Sequence, residues 1–258
     1  MRYIFNTNLK FLKMKTNKFS LTVLLIAAIF LTTTGISQEK KSYTMVELTY
    51  MLPKIGMEKA FVNSVKEHNK KFHSQDPYIA SLDRIATGKY TGWYVWIMGS
   101  TTFSQLDNRP SKGAHEDHWN KTVSPTVKKY GMTEYWRLND KLSFKANDIK
   151  PPLENIWFIK VKKGNYYRFK DVIKKFTAAF EKKGDNFFIY NNQFNQDDGR
   201  DVAIVWTMNS WADMDDDSSI KKYYEEVNGE GSWLNAIKEW EAVTESIKSE
   251  VWEISIDK

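Results

Sequence analysis

The chain has 258 residues, 41% of them hydrophobic and 15% aromatic, carries a formal charge of +6 and contains no cysteine. Its length and apolar content suffice for a real core without disulfides. The missing thiols exclude cysteine nucleophiles, thiolate metal sites, iron–sulfur clusters, c-type haem attachment and a lipoprotein anchor.

The first element is an address. Leu21 to Leu31 forms an apolar run preceded by Arg2, Lys10, Lys13, Lys15 and Lys18. A bilayer-spanning helix needs about 20 apolar residues, so this run is too short to span. It suits the core of a signal peptide over residues 1–37, with Gly35 and Ser37 as the small residues before a cut at Gln38. Met14 offers an alternative start. Without that segment the charge falls from +6 to +1, with +5 on residues 38–149 and −4 on 150–258. A near-neutral mature protein gives no electrostatic case for nucleic acid. The expected product is exported and soluble, periplasmic or extracellular, and free of the membrane after cleavage.

Next comes an apolar strand from Tyr43 to Leu52, ended by Pro53. After Gly56, Met57, Phe61, Val65, His68 and Phe72 recur at helical spacing. Strands from Tyr78 to Ala86 and from Tyr90 to Met98 flank the turn Thr87-Gly88-Lys89. A second helix follows Gly113, and Thr133 to Leu138 closes the set. Lys150-Pro151-Pro152 stiffens a linker. The order then repeats: strand 155–162, helix 165–183, strands 186–194 and 201–209 about the turn Asp197-Asp198-Gly199, helices within 218–247, and strand 249–256.

The two series share more than their order. Val95-Trp96-Ile97-Met98-Gly99-Ser100 returns as Val205-Trp206-Thr207-Met208-Asn209-Ser210, and Tyr135-Trp136 as Val251-Trp252. The period is domain-sized, well beyond solenoid repeats. Two units are therefore expected, 38–149 and 150–258. Strand–helix–strand taken twice is the ferredoxin-like layout, with helices on one face of a four-stranded sheet. In Trp93-Tyr94-Val95-Trp96-Ile97-Met98 both alternating sets are apolar, although helices cover only one face. An uncovered second face would be an apolar patch of a kind soluble monomers rarely show. The fold class expected is α+β: two tandem ferredoxin-like βαββαβ units packed sheet to sheet.

Such a pair resembles the dimeric α/β-barrel superfamily, fused here into one chain. That group includes antibiotic-biosynthesis-type monooxygenases, NIPSNAP-like proteins, stress-responsive barrel proteins and haem-handling relatives. The resemblance rests on the topology of residues 43–258 and on the series Trp96, Ser100 and a helix carrying His115. It implies either a monomeric pseudo-dimer or a homodimer, and haem as a candidate cofactor. Pro110 and Gly113 depart from the pattern.

All four histidines, His68, His73, His115 and His118, lie in the first unit. The assumed topology brings the end of the first helix to the start of the second, and so gathers the imidazoles at one mouth of the helix–sheet cleft. One helical face is expected to run from His115 through Trp119, Val123, Val127 and Tyr130. The second unit places Phe176, Glu181, Gly231 and Leu234 where the histidines stand. His115 and His118 are the catalytic candidates, and His68, Trp93, Trp96 and Trp119 the ligand-binding ones. No metal-ligand set is assigned: His115-x-x-His118 lacks zincin spacing. Asp213, Asp215, Asp216 and Asp217 lack that of an EF-hand, and Asp217 and Ser218 read as a helix cap. Trp211 is a further unpaired tryptophan. The leading functional expectation is a small-molecule-binding or structural protein whose cleft takes an apolar or aromatic molecule. The alternative is a cofactor-free or haem-dependent monooxygenase-like enzyme using a first-unit helix histidine.

Overall fold

The computed structural model describes residues 43–147, 151–194, 197–216 and 219–258. The expected signal peptide, the cut at Gln38, Lys150 of the linker and the cap at Asp217 and Ser218 lie outside the described residues. Within 43–258, eight strands form one antiparallel sheet: β1 (Met45–Pro53), β2 (Ala80–Ile85), β3 (Tyr94–Thr101), β4 (Val127–Leu138), β5 (Leu153–Val161), β6 (Phe187–Asn192), β7 (Val202–Met208) and β8 (Thr244–Glu253). Six α-helices connect them: α1 (Glu58–Phe72), α2 (Phe103–Leu106), α3 (Ala114–His118), α4 (Tyr166–Lys183), α5 (Ile220–Asn228) and α6 (Ser232–Val243). The strand order is β1-β3-β2-β8-β5-β7-β6-β4, and β4 pairs back to β1, so the sheet closes into a barrel.

Two seams join the halves. At one, Arg84 and Ile85 of β2 lie opposite Glu253 and Trp252 of β8, and Arg84 holds Glu253 in an ion pair of 2.7 Å. At the other, Trp136, Arg137 and Leu138 of β4 lie opposite Asn192, Asn191 and Tyr190 of β6. The two apolar faces of each strand have separate partners. Leu48, Tyr50, Val95 and Trp136 meet Ile156, Phe158, Val205 and Trp252 in one inner cluster. Outside, Leu82, Trp96 and Met98 pack under Phe61 and Val65 of α1, while Ile189 and Ile204 pack under Phe169 and Ile173 of α4. Each large side chain buried this way contributes about 1.5–3 kcal/mol.

α1 follows directly from its sequence. Its buried residues, Phe61, Ser64, Val65, His68 and Asn69, recur at three- and four-residue spacing and so form one stripe. Glu58 at its start and Lys70 and Lys71 at its end complement the helix dipole.

The second helix of the first half departs from expectation. Its α-turn, α3, passes into a π-turn over Trp119–Val123 and a 3-10 turn over Ser124–Thr126. Thr122 Oγ1 donates to the carbonyl of His118 at 2.7 Å, and the Ser124 amide reaches back to the carbonyl of Trp119. The helical face expected through Val127 and Tyr130 therefore ends at Thr126, because both residues belong to β4. The last strand also begins earlier than periodicity suggests, at Thr244 rather than 249, since pairing along β5 overrides its polar sequence. α5 is capped by Ser219, whose hydroxyl accepts from the Lys221 amide.

Candidate histidine site

α1 and α3 bring the four imidazoles together. His68 and His73 are buried at the end of α1, and His115 and His118 are half-buried on α3. His68 Nε2 lies 3.1 Å from His115 Nε2, and His73 Nε2 lies 3.0 Å from the same atom. One ring nitrogen from each of His68, His73 and His115 falls within 4.8 Å of the others. His118 stands behind them, its Nδ1 3.2 Å from His68 Nδ1 and 3.1 Å from Thr122 Oγ1.

The partners fix one tautomer. His73 Nδ1 faces the carbonyl of Tyr78 at 3.1 Å; a carbonyl only accepts, so Nδ1 carries the proton and Nε2 presents a lone pair. His115 Nε2 then has two nitrogen neighbours and at most one proton to share between them. At least one close N···N pair within the trio lacks a bridging proton from His115. A cation resolves that conflict by accepting all three lone pairs. Tetrahedral ligation at the usual 2.0–2.1 Å Zn–N bond spaces the nitrogens about 3.3–3.4 Å apart, near the two separations from His115 Nε2. The outer nitrogen of His73 suits ligation, in which the second N–H donates to a fixed acceptor, here the Tyr78 carbonyl. His68 Nδ1 faces His118 Nδ1, and His115 Nδ1 is buried without a hydrogen-bond partner.

Electrostatics favour neutral imidazoles. His68 is pushed down to about 3, chiefly by burial and then by the fields of His115, His73 and His118. His73 is pushed down to about 4, again chiefly by burial. His115 is lowered by burial, His118 and Arg109. Rings enclose the cluster. Trp119 lies 4.8 Å from His68, Trp96 lies 5.0 Å from His73 and Phe72 lies 5.3 Å from His115, centroid to centroid. Trp96 is held by its Nε1–H donating to Asn69 Oδ1 at 2.8 Å, and Asn69 in turn donates to Asp257 at 2.8 Å. A cavity of about 330 Å³ opens beside His115, lined also by Glu47, Trp96, Arg109, Trp119 and Asn120. Arg109 pairs with Glu47. Burial raises the Glu47 carboxyl despite that partner.

Of the residues singled out in the sequence, His68, His115, His118, Trp96 and Trp119 meet here. Trp93 does not. It packs on Tyr90 at 5.7 Å and over Gly131, against the inner cluster. It stands just before β3 and joins the inner cluster, whereas Trp96 belongs to the outer one. Trp211 is exposed in a 3-10 turn away from the histidines. Sequence reasoning gathered His73 with the others but did not name it as a ligand, and it assigned no metal set. The ligands come from two helices, so no linear spacing announces them. It also missed Asn69, Arg109 and Glu47.

The second half differs in the same place. α6 starts after Gly231 as α3 starts after Gly113, both glycines at positive φ. Trp233 stands two residues after Gly231, as His115 does after Gly113. It packs on Phe176 at 5.8 Å and 79°, much as His115 meets His68 at 4.6 Å and 73°. Leu234, expected opposite His118, is exposed. The result is an apolar cavity of about 260 Å³ lined by Trp157, Phe176, Trp206, Trp233 and Trp240.

A haem iron offers two axial positions on opposite faces of its ring, so it could take one of these imidazoles but not three converging ones. The donor set as a whole suits a bare ion.

No family model matches the chain, and no curated protein matches it in sequence. Solved structures do match in fold. A candidate monooxygenase from Lactobacillus acidophilus NCFM aligns with a TM-score of 0.52 and 12% identity over 84% of this chain and 95% of its own. A candidate monooxygenase from Fusobacterium nucleatum gives 0.52 and 12% over 83% and 94%. A mutant chlorite dismutase from Candidatus Nitrospira defluvii gives 0.53 and 10% over 85% and 96%. At such identities the likeness is one of fold.

Proposed function

We propose that the chain is a metal-dependent enzyme built on a fused, duplicated α/β barrel, with a mononuclear centre at His68, His73 and His115 that serves the adjoining cavity. The convergence of three Nε2 atoms, with the tautomer of His73 set by Tyr78, carries this reading. Imidazole donors suit zinc, iron, copper and nickel. A divalent ion there would supply a Lewis acid at the cavity floor. Trp96 and Trp119 exclude water from one side, and His118 orients His68. The signal-like leader supports export of the mature protein. A sheet that closes within one chain supports a monomeric pseudo-dimer over a homodimer.

Metal analysis of purified protein tests the reading directly. About one transition-metal ion per chain is expected, lost in His73→Ala and restored by titration of the wild type alone. A strong Soret band that depends on His115, with no ion beyond the haem iron, would replace this reading with a haem one. A second reading, a non-catalytic binder of an apolar or aromatic molecule, is supported by the aromatic cavity of the second half.

A further inference from the structure

The cavity beside His115 changes sign when an ion is bound, and that change selects its ligand. The ionisable side chains in its lining, besides the neutral His115, are Glu47, Glu116 and Arg109. With all three ionised the lining carries one surplus negative charge. The three imidazole donors add none, because a ligating histidine is neutral. A divalent ion therefore turns the lining from net −1 to net +1; Glu116 is exposed and screened by water, so the change is felt chiefly beside the buried Glu47 and its partner Arg109.

We infer that the metal-loaded cavity takes a small carboxylate with a flat apolar body, and that the metal-free cavity does not. The inference rests on the three-histidine metal reading. Arg109 supplies the second anchor. One of its amino groups pairs with Glu47, and a guanidinium has five N–H donors, so further donors remain for an incoming oxygen. Arg109 also sits close enough to His73 and His115 for its field to lower both. Arg109 and His115 line the same cavity, so an anion held there has both the ion and the guanidinium in its wall. The body of the ligand meets Trp96 and Trp119. Aromatic walls with a few placed polar groups are the usual makeup of a small-molecule site, and about 330 Å³ suits a single substituted ring.

The test uses the full chain loaded with Co²⁺, whose visible bands report on its ligands. Benzoate, benzamide and benzylamine are titrated into cobalt-loaded and metal-free protein. Benzoate should shift the cobalt bands and quench tryptophan fluorescence, with benzamide at least about tenfold weaker and benzylamine weaker still. Metal-free protein should bind none of the carboxylate. Arg109→Lys should weaken benzoate about tenfold, since a point charge replaces a planar fork. A Glu47→Gln/Arg109→Gln double variant, which leaves no unpaired buried charge, should weaken it further. The cobalt spectrum before benzoate is added shows whether the centre is intact in each variant. Equal affinity for benzoate and benzamide, or benzoate affinity unchanged in both variants, overturns the inference and leaves the metal reading standing. Failure of cobalt to bind, or binding unaffected by His73→Ala, overturns the metal reading and this inference with it.

Discussion

His118 touches the site through a single atom. Its Nδ1 is the partner of His68 Nδ1, and Thr122 holds it from the other side. Removing such an outer partner usually lowers metal affinity about 10–100-fold without abolishing binding. His118→Ala should do so, measured by competition with a chelator, and His118→Asn, whose amide can donate or accept, should recover part of the loss. A decrease as large as that of His73→Ala would make His118 a ligand. Histidines on α1 were legible because Phe61, Val65 and His68 share a spacing that needs only one helix. Arg200 was not. It lies buried in the lumen, bonded to Glu134 at 2.8 and 2.9 Å, with its guanidinium 3.4 Å from the centre of the Phe158 ring. Nothing near it in sequence names those partners, because strand register across the closed sheet brings them together.

At the scale of elements, the imidazoles tie the end of α1 to α3, so the packing of these helices depends on pH. His68 and His73 ionise at about 3 and about 4 in the folded chain, against 6.5 when free. Below 6.5 the unfolded chain takes up protons that the folded chain refuses, so acid favours unfolding. Stability of the metal-free protein should therefore fall as pH drops from 6.5 towards 4, and these groups should add no slope above about 7.5. Urea melts of wild type and a His68→Gln/His73→Gln variant at several pH values check this: the variant should lose most of that slope. An equal slope in both would assign the acid sensitivity to other groups. The start of the second helix was readable from Gly113. Its end was not, because the Trp119–Val123 π-turn keeps an apolar rhythm while changing the pitch. Pairing with β1 then takes Val127 and Tyr130 into β4.

For the whole molecule, the doubled apolar faces of β3 and β7 were the readable signal, and they led to an arrangement in which both faces are covered. The edge-to-edge seams were not readable, since they depend on which strands end next to each other. Trp136 and Trp252, from opposite halves, share the inner cluster. Each indole donates to the carboxylate two residues before it, Glu134 and Glu250. One shared core implies one cooperative unit. Residues 43–258 should unfold in a single transition, with tryptophan fluorescence and far-UV dichroism coincident. Two separated transitions would mean that the halves are independent domains.

The seams have a mechanical consequence. The β2–β8 ladder has two residue pairs, Arg84↔Glu253 and Ile85↔Trp252, extended by the Ala86 amide on the Val251 carbonyl and the Ile256 amide on the Leu82 carbonyl, whereas β5 and β8 run together from Val161↔Thr244 to Leu153↔Glu253. A hoop made of two broad plates and two narrow welds yields at the welds. Under tension or thermal breathing the ring would part between β2 and β8 long before either plate tore. The buried carboxylates of Asp83 and Asp257, which accept from the Ser255 and Leu82 amides, act as the rivets on that line.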